Sequence, residues 1–317
     1  MKKRMRMEDQ LSYHHLMSRT VNGEAFFGGV EREVLRRMIW QVAAFSGVRV
    51  VTYAVMKNHF HVLVEVPEKK TPITDRELVR RFRELYPRPT PWQPMPWRVL
   101  EGHLRENTPE GKSLRRRLTG RMHDISWFMK TVKQRFSIWY NKTNKRFGPV
   151  WSERFKSVLV EGDTWALRTV AAYIDLNAVR AGLVEDPKDY RFCGYAEAVA
   201  GGKDARAGLQ VLDRDLAGYR QTLYGSGSGE KAEKEVIPRE EALKVLEAKG
   251  KLPLATILRC KVRYLTEGKV LGSPEFVTAQ LAESESTGKR PGKAQPMAGA
   301  DWRGLAVGNG LRSGLFQ

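Results

Sequence analysis

The residues of this chain best suited to chemistry are two histidines two positions apart. They lie in the run Tyr53-Ala-Val-Met-Lys-Asn-His59-Phe60-His61-Val-Leu-Val-Glu-Val66. This run reads as a buried strand, a short turn and a second strand that opens on the histidines. Side chains alternate across a strand, so Phe60, Val62, Val64 and Val66 share one core-facing side. His59 and His61 share the other, about 7 Å apart at their roots, and can converge on one metal ion. The pair does not name its metal, because His-x-His on a strand also serves zinc hydrolases. A zinc site would need another His, Asp or Glu beside the pair. His103 and His123 are available, but at no spacing that suggests it.

A second cluster lies more than a hundred residues on, in Asp163-Thr-Trp-Ala-Leu-Arg-Thr-Val-Ala-Ala-Tyr173-Ile-Asp-Leu-Asn177. Asp163 is a natural N-cap, and the alanines and leucines after it favour helix. Leu167, Val170 and Ile174 form an apolar stripe at helical spacing. Tyr173 and Asn177, four apart, project from one face of that helix. A phenol can attack phosphorus, and an amide oxygen can complete a metal site. Taken alone, a tyrosine in such a place is more often an amphipathic filler whose hydroxyl bonds to backbone.

Positioning these groups requires a sheet backed by helices. Strands are predicted near 11–21, 48–55, 59–66 and 153–160. One helix is predicted over 31–46, with Val34, Leu35, Met38, Ile39 and Val42 on one face and Gly47 ending it. A helical, proline-broken insertion falls at 72–121, within a basic stretch that begins near 68. A long helix over 124–143 follows, with Ile125, Phe128, Met129, Val132, Phe136, Trp139 and Tyr140 as its stripe. The pattern is that of an α+β fold, a sheet with helices on one face. Residues 1–200 form the main domain, 201–237 a linker around Gly225-Ser-Gly-Ser-Gly229, and 238–282 a small helical region, possible for DNA binding or as a cap. Residues 283–317, rich in Gly, Ser, Lys and Pro, read as a disordered tail.

The two chemical segments together resemble single-tyrosine transposases with an HUH nuclease core, closest to the REP-associated tyrosine transposases, relatives of the IS200/IS605 enzymes. The resemblance rests on the His-hydrophobic-His strand and on the run Tyr173-Ile-x-Leu-Asn-x-Val-Arg-Ala-Gly-Leu-Val184. Further agreement comes from Arg146-Phe-Gly-Pro-Val-Trp-Ser-Glu-Arg-Phe-Lys156, from Asp189-Tyr190 with Gly194-Tyr195, and from the segment Tyr264 to Val277. It implies a ferredoxin-like βαββαβ core with an antiparallel sheet, a helical insertion and a C-terminal extension. It also implies a metal-dependent single-strand DNA endonuclease and strand-transferase. Tyr173 is then the nucleophile, forming a 5′-phosphotyrosine. His59, His61 and Asn177 hold Mg²⁺ or Mn²⁺. The partner is single-stranded DNA carrying a hairpin from an imperfect palindrome, handled by a monomer or a homodimer. The family's Asn-Pro-Val-Arg reads Asn177-Ala178-Val-Arg180 here, a change at a helix end that should not remove activity. His14 and His15 read as incidental or substrate-facing. The alternative is a non-catalytic DNA-binding or regulatory protein of the same fold, against which the intact His59, His61, Tyr173 and Asn177 argue.

Composition points the same way. Lys and Arg number 55 against 36 Asp and Glu, a formal charge of +19 with a pI near 10.0, as for a polyanionic partner. Residues 68–156 hold 22 basic and 9 acidic side chains, a net of +13. Arg80, Arg81 and Arg83, then Arg115, Arg116, Arg117 and Arg121, are the densest clusters, and Lys130 and Lys133 extend them as expected DNA contacts. Trp92 and Trp97, in a Pro-rich loop, are candidates to stack on unpaired bases, whereas Trp127 and Trp139 read as core. With Cys193 and Cys260 alone, neither a disulfide framework nor a Cys-rich zinc site is possible. No apolar signal region follows the basic N-terminus and no run reaches the length of a membrane span, so a cytoplasmic, nucleoid-associated protein is expected.

Overall fold

The computed structural model describes residue 7 and residues 10–69, 72–224, 253–259, 262–284 and 293–308. Strand β1 (Ser12–Arg19) leads through helix α1 (Gly29–Ser46) to the hairpin β2 (Arg49–Val55) and β3 (His59–Val66). Three helices follow, α2 (Asp75–Leu85), α3 (Trp97–Arg105) and α4 (Pro109–Thr119), before the long α5 (Ile125–Thr143) and β4 (Lys156–Val160). Next come α6 (Thr164–Asp175), α7 (Asn177–Arg180), α8 (Gly194–Val199), α9 (Lys203–Leu209) and α10 (Leu216–Tyr224). The C-terminal elements are α11 (Leu254–Leu258), α12 (Tyr264–Glu267), β5 (Val270–Gly272), α13 (Pro274–Ser284), β6 (Ala294–Pro296) and β7 (Ala306–Gly308).

The strands form one sheet in the order β2-β3-β1-β4-β5-β7-β6. Among its first four strands each neighbouring pair is antiparallel, which is the expected βαββαβ arrangement. Register puts Met17 opposite His61 and His15 opposite Leu63, so the alternation that faces His61 to one side faces Tyr13, His15 and Met17 there too.

Helices α1 and α5 cover the other side. Leu16, Phe60, Val62 and Val64 of the sheet share a core with Leu35 and Ile39 of α1 and with Phe128, Val132 and Phe136 of α5. The stripe read from the sequence is therefore the buried face of α5. Gly47, at φ 70°, ends α1 in the left-handed conformation that favours glycine. The insertion belongs to this same layer. Leu78 and Phe82 of α2, Leu100 of α3, and Leu114 and Leu118 of α4 join the α1–α5 core, so it serves as a cover for that core.

Contrary to the expectation of helices on one face, a second helical layer covers the side that carries His61. Val170 and Ile174 of α6, Tyr195 of α8, Leu209 of α9 and Tyr219 of α10 pack there with Leu63 and Met17. Their apolar faces need a partner, and the Leu63–Met17 side of the sheet is apolar enough to supply one. Gly194 is required by this packing, since a Cβ there would run into the Thr52 side chain of β2. Residues 203–224, expected within a linker, are thus helices of the main core.

The C-terminal region corrects two further expectations. β5 pairs with β4 in parallel, which makes the sheet mixed, and β7 and β6 extend it antiparallel. The expected tail after 283 contributes β6, β7 and the buried Trp302, Leu305 and Val307. Residues 238–252 of the expected helical region, the Gly-Ser linker and Cys260 lie outside the described residues.

Candidate active site

The site is built where β3 starts and α6 ends. His59 and His61 emerge on the α6 side of β3, with ring centroids 5.2 Å apart and ring planes at 88°. Asp163 caps α6, its carboxylate accepting from the Trp165 N–H at 2.8 Å and the Ala166 N–H at 3.1 Å. The helix then carries Tyr173 to within 6.2 Å of His61, ring centroid to centroid, nearly perpendicular.

Asn177 does not continue α6. The helix stops at Leu176, whose ψ of 3° tightens the turn, and Asn177 opens α7. The end of α7 is a Schellman motif about Gly182, at φ 66°. The Leu183 N–H donates to the Ala178 carbonyl at 3.0 Å and the Gly182 N–H to the Val179 carbonyl at 2.9 Å. Alanine at 178 leaves this termination intact, because position 178 supplies only its carbonyl.

Tyr173, Asn177, His59 and His61 line one pocket of about 580 Å³, all from the same chain. Around them stand Arg19 of β1, Arg154, Lys156 and Arg180, with Glu153 the acidic group of the wall. The Arg180 guanidinium carbon lies 4.0 Å from the Tyr173 ring centroid. Its Nη1 donates to the Leu258 carbonyl at 2.8 Å and to the Tyr173 carbonyl at 3.3 Å.

The imidazoles are held by named partners. The Asn58 amide donates through Nδ2 to the Gly23 carbonyl at 2.8 Å, which turns its Oδ1 toward His59 Nδ1 at 2.7 Å. His59 therefore carries a hydrogen on Nδ1, and in the neutral ring its lone pair lies on Nε2. His61 Nδ1 lies 2.8 Å from Nε2 of His15, and His15 Nδ1 lies 2.8 Å from the Leu265 carbonyl. His15 is neither incidental nor substrate-facing: it is fully buried directly behind His61. Burial lowers its pKa to about 4. It also carries His61 well below the ordinary value, helped by the positive potential of His15, His59, Arg180 and Arg19. Both rings are thus neutral near pH 7.

This donor set fits a divalent ion bound by two imidazoles and an amide. The Asn177 side chain is 5% exposed and its Nδ2 has no hydrogen-bond partner, so a 180° rotation of the amide would offer an oxygen there without losing a bond at nitrogen. Among the described residues, no three His, Cys, Asp or Glu side chains are placed to hold an ion, the arrangement the zinc-hydrolase reading requires. His103 faces Thr108 at 3.1 Å, and neither it nor His123 lines the pocket.

None of the residues expected to contact DNA lines this pocket. Arg80 and Arg81 of α2 share Glu77, each at 2.7 Å, and Arg115 of α4 pairs with Asp75. Arg83 stacks over Trp97 at 5.1 Å, and Arg121 and Lys130 over Trp127 at 5.0 and 4.4 Å. Arg116 and Arg117 complete the basic turn of α4. Lys133 reaches nearest, donating to the carbonyl of Glu153 at 2.6 Å. Trp92 is 73% exposed. The pocket cations Arg19, Arg154, Lys156 and Arg180 went unselected because they form no dense basic cluster in the sequence. Arg154, Lys156 and Arg180 stood inside the motifs quoted for the resemblance, and Arg19 outside them.

No curated protein matches the chain. A solved structure of a REP-associated tyrosine transposase bound to a REP hairpin is 16% identical, with 64% of this chain and 87% of that one covered at a TM-score of 0.41. Residues 8–85 match the family model described as "Transposase IS200 like". That stretch runs from β1 through the His59–His61 strand to α2, and over it the chain carries the pattern of the IS200-like transposases.

Proposed function

We propose that this protein is a single-strand DNA nuclease and strand-transferase that cleaves beside hairpins through Tyr173. The observation that carries the reading is the shared pocket: a phenol, two imidazoles and an amide face each other inside a ring of four cations. Each group has a place in phosphodiester chemistry. The cations hold and neutralise the strand's phosphates. A divalent ion, Mg²⁺ or more readily Mn²⁺ given the imidazole donors, would be held by His59, His61 and Asn177 and would polarise a non-bridging phosphate oxygen.

Tyr173 attacks phosphorus in line. An Oη–P bond forms as the P–O3′ bond breaks, and the electron pair stays on O3′. The phenolic proton leaves to solvent and O3′ takes one up, so the products are a 5′-phosphotyrosyl protein and a free 3′-hydroxyl. The bond energy is conserved, and a second 3′-hydroxyl can reverse the step to join new ends. A flexible single strand can bend its phosphate into a pocket of this size more readily than a stacked duplex. The Tyr173–Val184 run, by its resemblance, implies a hairpin with an unpaired flank as substrate. Trp92, being exposed, is free to stack on an unpaired base if the strand reaches it. Such work on chromosomal DNA would be done in the cytoplasm, at the nucleoid.

The test is a covalent-adduct assay with labelled hairpin oligonucleotides and Mg²⁺ or Mn²⁺, resolved on a denaturing gel. The expected result is a metal-dependent protein–DNA band that disappears in Tyr173→Phe and in a His59→Ala/His61→Ala double variant. Tight hairpin binding with no band would favour a non-catalytic DNA-binding protein. A band that survives Tyr173→Phe would assign the nucleophile elsewhere.

A further inference from the structure

His15 sits at the centre of a chain of two hydrogen bonds that starts in the C-terminal segment and ends at the pocket. The first link is the Leu265 carbonyl in the short helix α12. In a continuing helix that carbonyl would accept the N–H of Lys269, but that N–H donates instead to the Gly308 carbonyl of β7 at 3.0 Å. The Leu265 oxygen is thereby left to face His15 Nδ1 at 2.8 Å.

A carbonyl only accepts, so the contact requires a hydrogen on His15 Nδ1. In a neutral ring, Nε2 of His15 then carries a lone pair. Across the next 2.8 Å stands His61 Nδ1, which must supply the hydrogen between them. A neutral His61 protonated on Nδ1 has its lone pair on Nε2. That is the tautomer already fixed for His59 by Asn58. Both histidines then offer the same nitrogen for coordination. The opposite tautomer of His15 would set two lone pairs toward each other, at Leu265 and its own Nδ1, and is excluded by the same distances.

We propose that His15 is a positioning residue that holds His61 in its metal-binding tautomer, and that the C-terminal segment sets this state through the Leu265 carbonyl. The inference rests on reading His59 and His61 as metal ligands. It extends the site beyond the β1–α2 stretch to a part of the chain two hundred residues away. Partners behind a ligating histidine fix ring orientation and raise ligand basicity, and their loss typically weakens metal binding by about 10–100-fold. The same segment also anchors Arg180 through the Leu258 carbonyl, so two pocket residues lean on backbone oxygens of the C-terminal elements.

The experiment uses the full-length protein without DNA and has two readouts. Long-range ¹H–¹⁵N imidazole spectra of the metal-free protein at pH 7 report which nitrogen of each histidine carries the hydrogen. Mn²⁺ titration followed by electron paramagnetic resonance reports affinity. The expected result is an Nδ1–H tautomer for His15 and His61 in the wild type. His15→Gln, whose amide can donate to Leu265 and accept from His61, should retain both the His61 tautomer and the Mn²⁺ affinity. His15→Phe, which fills the space but cannot accept, should lose the single His61 tautomer and bind Mn²⁺ about 10–100-fold more weakly. An Nε2–H tautomer for His61 in the wild type would overturn the proposal, even if His15→Phe fails to fold. Unchanged Mn²⁺ affinity in a folded His15→Phe would overturn it as well. A wild type with the expected tautomers that binds no Mn²⁺ would instead sink the metal-ligand reading and leave the hydrogen-bond chain standing.

Discussion

Arg180 lies flat across Tyr173, with its guanidinium carbon 4.0 Å from the ring centroid and its Nη1 tied to the Leu258 carbonyl at 2.8 Å. The two residues are seven apart, on α6 and α7, and the break at Leu176 turns α7 so that this stacking can occur. A cation over the ring is attracted by its π-face and sets the ring's rotamer. It also places positive charge where a phosphate would meet the phenol.

Arg180→Lys should therefore keep the charge but lose the planar fork that spans two carbonyls and a ring. Adduct formation should fall at unchanged fold, whereas Arg180→Ala should also lower stability by about 1–3 kcal/mol, because the Leu258 carbonyl loses its donor. Single-turnover adduct kinetics, with urea unfolding as the control, separate the two effects. Wild-type kinetics in Arg180→Lys would show that charge alone suffices.

The pocket cations should matter more to cleavage than the paired arginines of the insertion. Arg19→Gln, Arg154→Gln and Lys156→Gln should each weaken binding of a single-stranded oligonucleotide. Each should also reduce the slope of log affinity against log salt by about 0.7, the value for one phosphate contact on a single strand. Arg80→Gln and Arg81→Gln leave Glu77 without its partners, so they should mainly alter local stability. The salt dependence of binding checks this directly. A larger slope change for the Arg80 and Arg81 variants would place the strand on the insertion.

Tyr173 and His61 meet within one chain, 6.2 Å apart by ring centroids, so a reaction within a single subunit is the expected outcome. Mixing Tyr173→Phe with the His59→Ala/His61→Ala variant should thus restore no adduct. Recovery of the band on mixing would mean that the tyrosine helix is exchanged between subunits.

Asp175, two residues beyond Tyr173, is fully buried and ties α6 to three other elements. It accepts from Thr52 Oγ1 of β2 at 2.8 Å, Tyr219 Oη of α10 at 2.6 Å and the Tyr195 N–H of α8 at 3.2 Å. Burial outweighs these bonds and raises its pKa from 3.8 to about 7. A carboxyl with a raised folded pKa favours the folded state fully below pH 4, and that contribution is lost as pH rises through 7. Asp175→Asn removes the loss. Relative to wild type it should gain stability by roughly 4 kcal/mol between pH 4 and pH 7. His15 runs the other way: its folded pKa of about 4 lies below 6.5, so its contribution is complete above pH 6.5 and lost as pH falls through 4. Urea midpoints across pH 4–8 for wild type and Asp175→Asn would show the stability difference, variant minus wild type, rising with pH through this window. A flat difference between the two would mean that Asp175 is not held protonated in the fold.

The sequence alone determined what repeats at short range. Strand alternation was enough to split Phe60 and Val62 from His59 and His61, and helical spacing was enough to find the buried stripe of α5. Asp163 was legible as a cap because capping is a contact between residues two and three apart. Motif order then brought His59, His61, Tyr173 and Asn177 together before any coordinates. Only the tertiary structure decided what depends on register between distant segments. His15 became the neighbour of His61 because β1 pairs with β3 antiparallel in one register, and a shift of one residue would have turned it to the opposite face. The second helical layer, the strands beyond residue 283 and the four cations of the pocket were equally hidden. Each depends on closing a loop of tens to hundreds of residues, and no local pattern of residue types encodes which ends will meet.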